Sequence, residues 1–189
     1  MTSTRTAPRN RASMTRPAPT AALPILHIVR SSEIQGRGVF ARVPIPTGTR
    51  IIEYTGESIT HAESDRRYQD EMMARHHTFL FTLNRRTVID GAVGGSDARY
   101  INHGCDPNCE TVIEKRQIWV EAVRDIVAGE ELQYDYQYAR DGNETDEDER
   151  RYACRCGAPT CRGTILAPAE APITVPPPPS AMFTDLSAG

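Results

Sequence analysis

At 189 residues the chain has room for one domain with a real hydrophobic core, plus tails. A formal net charge of −3 and an isoelectric point near 6.0 argue against a general nucleic-acid binder, which carries a basic excess. No apolar run approaches the roughly 20 residues of a membrane span. The five cysteines are an odd number with no apolar leader ahead of them, which points to a reducing compartment and thiolate chemistry rather than a secreted disulfide scaffold. Lys115 is the only lysine among 22 basic residues, which we read as codon bias.

Residues 1–24 are rich in Thr, Arg, Ala and Pro and hold no acidic residue, so they read as a disordered basic tail. A transit peptide or an arm touching nucleic acid is the alternative, but the amphipathic period is missing. Residues 25–30 read as the first strand. In S-S-E-I-Q-G-R-G-V-F-A, Gly36 and Gly38 permit unusual φ and close approach of a ligand, although a plain turn explains an isolated G-x-G equally. Pro44, Pro46 and Gly48 make 43–50 a loop or edge. Residues 50–54 form a short strand, with Tyr54 at least a half-buried strand aromatic.

Thr60-His61-Ala62-Glu63 is a capping box that opens a helix to about residue 75, with Tyr68 and Met72 on one face. His61, His76 and His77 read as solvated, since neighbours on a helix do not share a face for a metal. Residues 79–83 and 87–90 form a hairpin around Asn84-Arg85-Arg86. Gly91, Gly94 and Gly95 open a loop ahead of Arg99. Residues 110–113 and 117–123 form a second hairpin, with Trp119 in the core, and Val127-Ala128-Gly129-Glu130 is a turn. Residues 140–152 are acidic and read as a solvated linker, or alternatively as a charged surface steering a basic tail. The chain beyond 166 is a Pro-rich extended tail.

The densest stretch is D-A-R-Y-I-N-H-G-C-D-P-N-C at 97–109. Pro107 fixes the turn, and Asn102 and His103 together offer donors and acceptors that suit the edge of a purine. Tying up backbone in a tight crossing is the equal alternative. Downstream, E-E-L-Q-Y-D-Y at 130–136 puts Tyr134 and Tyr136 on one face of a strand. Cys154-x-Cys156-x4-Cys161 then supplies three thiolates at metal-like spacing.

These three stretches, in this order, resemble the signature motifs of SET-domain protein lysine methyltransferases with a post-SET zinc motif, over roughly residues 25–166. The resemblance implies an α+β, mostly β fold. It comprises small twisted sheets with a pseudoknot between the N-H-x-C and Y-D-Y segments and a C-terminal zinc-binding flap. The corresponding division is 25–139 SET domain, 140–152 acidic linker, 153–166 zinc motif and 167–189 tail. It implies S-adenosylmethionine as co-substrate, contacted by Gln35, Gly36, Arg37, Gly38, Phe79, Arg99, Asn102, His103 and Tyr136. It also implies a structural zinc ion on Cys105, Cys154, Cys156 and Cys161, with Cys109 in place of Cys105 as the minor alternative. The family's nine-cysteine pre-SET cluster is absent. Gly104 and Gln35 depart from the usual Ser and His.

The implied reaction moves a methyl from a sulfonium to a lysine amine. A free lysine, with pKa about 10.4, is charged at neutral pH, so the site must keep the amine neutral and aligned. Tyr136 is the expected orienting phenol and Tyr54 a channel wall. Tyr134 stands where the family carries Tyr or Phe, and a tyrosine there implies monomethylation, with dimethylation as a second product. The implied substrate is a basic protein or histone-like tail. A non-histone protein such as a ribosomal one, or an inactive SET-like peptide-binding module, is the alternative. No membrane is implied, nucleic acid is expected only through the N-terminal tail, and the chain is expected to be a monomer. Its place is intracellular: nucleus or chromosome if eukaryotic or host-delivered, cytoplasm if bacterial.

Overall fold

The computed structural model describes residues 24–69, 78–140 and 142–168. Short strands dominate, as expected from the many β-branched segments broken by Gly and Pro. Strands β1 (His27–Ser31) and β2 (Arg37–Ala41) form an antiparallel pair. A three-stranded sheet has the order β3 (Arg50–Glu53), β9 (Gln117–Ala122), β8 (Cys109–Glu114). A second has the order β4 (Glu57–Ile59), β6 (Thr87–Asp90), β5 (Leu80–Asn84). The fourth sheet is a parallel pair of two-residue strands, β7 (Asn102–His103) and β10 (Gln133–Tyr134). This is the expected α+β, mostly β arrangement of small sheets.

The core lies where the sheets meet. Val39, Ala41, Ile45, Ile101, Ile118, Val120, Ile126 and Leu132 are nearly or wholly shielded from water. Strand β9 alternates inward and outward residues, burying Ile118, Val120 and Ala122. That alternation overturns the expectation for Trp119, which faces outward, half-exposed, under the Arg50 guanidinium at 5.0 Å.

The helix predicted for 60–75 forms as α1 (His61–Arg67), capped by the Thr60 side chain at the Glu63 amide, but ends early. The Tyr68 backbone leaves helical geometry, and its hydroxyl is drawn to both oxygens of buried Asp90 at 3.0 and 2.9 Å. Arg67 joins the same carboxylate at 3.0 Å. Met72, His76 and His77 lie outside the described residues. The acidic stretch holds structure of its own: α2 (Asp146–Arg151) starts at a complete Thr145–Asp148 capping box. Arg140 fastens it through Glu149 at 2.6 Å. Among the described residues no helix is long and apolar enough to cross a membrane.

Candidate active site

The site is built where distant segments cross. The parallel pairing of β7 and β10 continues in a bond from the Gly104 amide to the Tyr134 carbonyl, 3.2 Å. Asn108, buried in the Asp-Pro-Asn turn, stitches the two segments further. Its amide donates to the Glu131 carbonyl at 2.8 Å and its oxygen accepts from the Gln133 amide at 2.8 Å. Beyond β10, Tyr136 turns back into the crossing. Its ring meets His103 edge-on at 5.4 Å, and its hydroxyl donates to the Ile101 carbonyl at 2.7 Å. Residues 33 or more positions apart are thereby fixed against one another.

A cavity of about 630 Å³ opens on this crossing. One wall is the loop from Ser32 to Gly36, which includes Gln35. The floor is Asn102, His103 and Tyr136. The far side is Tyr138 with Arg150 to Arg155, where α2 runs into the cysteine motif. Gly36 takes φ +50, but Gly38 does not need its conformational freedom; it needs to be small. A Cβ on Gly38 would lie 2.2 Å from a Glu131 carboxylate oxygen and 2.9 Å from the Ser32 side chain. Glu131, to which the motifs assign no role, is the hub. It accepts from the Ser32 hydroxyl at 3.0 Å and from the Asn102 amide at 2.7 Å.

These bonds show the alternative role, tying up the crossing. Both Asn102 amide hydrogens are spent, one on Glu131 and one on the Arg37 carbonyl at 3.0 Å. His103 Nδ1 accepts the Tyr136 amide at 3.1 Å, so the ring proton sits on Nε2 and points to Cys105 Sγ at 3.2 Å. Burial lowers the His103 pKa and keeps the ring neutral, against a smaller opposing pull from Asp135. The pair lines the cavity, yet its side chains hold the crossing together, leaving the Asn102 oxygen as the free acceptor among the described residues.

Arg37, Phe79 and Arg99 sit apart from the cavity wall, grouped around Tyr100. The two guanidiniums flank its ring at 4.2 and 4.7 Å, and Phe79 meets it edge-on at 5.6 Å. Arg99 also donates to the Gly91 carbonyl at 2.9 Å. The aromatic that joins the tyrosines is instead Phe81, 5.4 Å from Tyr54 and 6.5 Å from Tyr134 between ring centres. Tyr134 and Tyr136 follow at 5.1 Å, then Tyr138 at 5.7 Å and Tyr152 at 6.0 Å. Burial raises the pKa of Tyr54, Tyr134 and Tyr136 well above the ordinary value for a phenol, so all three stay neutral. The Tyr54 hydroxyl donates to the Phe79 carbonyl at 2.7 Å. The Tyr134 hydroxyl has no hydrogen-bond partner among the described residues.

Beside the crossing, the sulfur atoms of Cys105, Cys154, Cys156 and Cys161 all lie within 4.8 Å of one another. Cys105 is 3.7 Å from Cys154 and 3.9 Å from Cys161. A tetrahedral ion with metal–sulfur bonds of about 2.3 Å needs sulfurs about 3.8 Å apart, so the cage fits such an ion. Cys109 is excluded from it: it is buried in the core, where desolvation pushes its thiol up to about 12.

The family model described as "SET domain" matches residues 36–137. The chain is 42% identical over 139 residues to a protein of Eremothecium gossypii named histone-lysine N-methyltransferase, H3 lysine-4 specific. That match covers 71% of this chain and 14% of the relative. It is 38% identical over 135 residues to the histone-lysine N-methyltransferase ash1 of Drosophila melanogaster, covering 69% of this chain and 6% of that one. Among solved structures it resembles a chain of ctPRC2 in an autoinhibited conformation bound to S-adenosylmethionine. There the TM-score is 0.52 and the identity 35%, over 58% of this chain and 15% of that chain. The chain therefore spans only a small part of the length of the relatives it matches. With the family match running from the Gly36 loop through the crossing to the tyrosine strand, this chain belongs to the SET domain family.

Proposed function

We propose that the chain is a protein lysine N-methyltransferase that uses S-adenosylmethionine, acts on a histone-like basic tail and places mainly one methyl group. The carrying observation is the row of neutral phenols that ends at the cavity, with Tyr136 held between His103 and the Ile101 carbonyl. The named activities of the relatives support the same reading.

The sulfonium co-substrate supplies the methyl group. The cavity bounded by Gln35, Gly36, Asn102, His103 and Tyr136 has the volume for it. Arg37, Gly38, Phe79 and Arg99 act from behind that wall. Tyr54, Phe81 and Tyr134 wall the passage for the incoming side chain, excluding water and offering electron-rich faces to a cation. Tyr136 has its proton committed to Ile101, so its oxygen is left to accept from the amine and fix its direction. Tyr134, whose hydroxyl has no partner among the described residues, stands beside that point, where it takes the room and the hydrogen bond that a second methyl would need.

Cys105, Cys154, Cys156 and Cys161 would hold zinc, which draws the C-terminal flap over the crossing. Exposed Asp146 and Glu147 open α2, at the end away from the cavity-lining Arg150 and Arg151, and would attract a basic tail there. Such a substrate puts the site of action on chromatin.

The test is to incubate the purified chain with radiolabelled S-adenosylmethionine and a panel of core histones, ribosomal proteins and lysate. Label on a histone lysine, lost in Tyr136→Phe, is the expected result. Co-substrate binding without transfer to any protein would leave a binding module instead.

A further inference from the structure

The sulfur cage reaches the tyrosine strand by two routes. One is the His103 ring, between Cys105 Sγ and the Tyr136 amide. The other meets the first at Asp135, whose carboxylate lies 3.5 Å from His103 Nδ1, and uses a residue outside every expectation above. Arg162, directly after Cys161, gives its backbone amide to Cys105 Sγ at 3.4 Å. Its guanidinium grips both oxygens of Asp135, each at 2.7 Å, and also reaches the Leu166 carbonyl at 3.2 Å.

Asp135 stands between Tyr134 and Tyr136. Its carboxylate also accepts the Gln137 amide at 3.2 Å. Gln137 has φ +47, a left-handed conformation that a residue with a side chain adopts only when its surroundings impose it. The backbone immediately after Tyr136 is thus strained, and β10 has already ended at Tyr134. What holds the turn is a carboxylate, and what holds the carboxylate is Arg162. The pair is mostly shielded, with side chains 22% and 18% exposed, so water screens it only in part. Burial pushes the Asp135 carboxyl up, but the Arg162 guanidinium, joined by the Gln137 amide and His103, more than offsets it, so the group titrates below the ordinary carboxylate range.

We propose that Arg162 is a positioning residue: through Asp135 it sets the direction of the Tyr134 and Tyr136 side chains from the frame of the metal cage. The cage then does more than close a flap. It supplies a rigid point from which the catalytic strand is aimed, and Arg162 is the arm. This rests on the proposed methyl transfer, because aim matters only where Tyr136 orients a reacting group.

The test uses the full chain loaded with zinc, with Arg162→Met, Arg162→Lys, Asp135→Asn and the Asp135→Asn/Arg162→Met double variant. Metal per chain is counted, S-adenosylmethionine affinity measured by calorimetry, and kcat and KM measured on the methyl acceptor. Arg162→Met and Asp135→Asn are each expected to keep one metal ion and near-native co-substrate affinity. Each is expected to lose about ten- to a hundredfold in kcat, the scale of a small misalignment. The double variant loses no more than the worse single one, because both remove the same link. Arg162→Lys, with one contact in place of two, recovers part of the rate.

Native kcat in both single variants would overturn the assignment. So would losses that multiply in the double variant. Metal loss in proportion to lost activity would reduce Arg162 to a prop for the cage. If Arg162→Met does not fold, Asp135→Asn, which changes the charge and keeps the shape, decides alone. A wild-type chain that transfers no methyl at all would instead sink the functional reading, an outcome distinct from each of these.

Discussion

The Asn102 amide donates to the Glu131 carboxylate at 2.7 Å and to the Arg37 carbonyl at 3.0 Å, so one side chain ties the crossing to the glycine loop. Glu131 completes the tie through the Ser32 hydroxyl. Removing the carboxylate leaves the Ser32 and Asn102 donors without their partner, each worth about 1–3 kcal/mol where buried. Glu131→Ala is expected to weaken S-adenosylmethionine binding at least tenfold by calorimetry while the metal content stays native. Gly38→Ala should do the same by a different cause, pushing Glu131 aside with its new Cβ. Native affinity in both variants would show that the loop holds its shape without Glu131.

The thiols divide four to one, and alkylation reads the division directly. Metal-bound thiolates are protected, and Cys109 is protected by its burial in the core. Iodoacetamide on the native, zinc-loaded chain should therefore add nothing fast. After a strong chelator it should add four groups, at Cys105, Cys154, Cys156 and Cys161, with Cys109 following only on unfolding. Peptide mapping checks the sites; early label on Cys109 in place of Cys105 would exchange their roles.

Gly104 departs from the Ser common in the family, and it packs closely against Gln133. A Cβ there would lie 2.3 Å from the Gln133 amide oxygen and 2.9 Å from the Gln133 Cβ. The first contact can swing away; the second belongs to a fixed part of the side chain. Gly104→Ser is expected to cost about 1–3 kcal/mol of stability, the usual range for overpacking. The Gln133→Ala change in the same chain removes only the first contact and should recover only part of the loss in a urea melt, whereas Gln133→Gly removes both. An equal midpoint for wild type and Gly104→Ser would mean that the strands part freely.

What the sequence disclosed and what it hid differ in kind. The two hairpins were legible from alternation and turn residues, and the cage from cysteine spacing together with the family resemblance. Tyr138 was legible in principle as the next outward step of Y-D-Y-Q-Y, since every second residue shares a face. Phe81 was not singled out, because F-L-F offers two aromatics and only the register against Ile89 shows which of them meets the tyrosines. Glu131, Asp135 and Arg162 were hidden altogether. An acidic residue beside a motif looks like solvated surface until the fold brings it a partner 27 or 29 positions away.

Tyr134 and Tyr136 are adjacent on one face, yet their hydroxyls stand in opposite circumstances, and this predicts opposite effects of the same substitution. Tyr136 donates to the Ile101 carbonyl at 2.7 Å, so Tyr136→Phe strips a buried acceptor of its partner and removes the oxygen proposed to orient the amine. It should lower kcat by about a hundredfold or more, the scale on which a group positioned at a transferring proton or amine acts, and it should also lower the unfolding midpoint. Tyr134 makes no such bond among the described residues, so Tyr134→Phe should leave the midpoint nearly unchanged. It frees space and a hydrogen-bonding position beside the amine, so the reaction should run past one methyl to two and three. Intact-mass spectrometry of a histone peptide over time checks the product ladder. If Tyr134→Phe yields the wild-type distribution while Tyr136→Phe is inactive, the channel is limited by another wall, and Phe81, between Tyr54 and Tyr134, is the next residue to change.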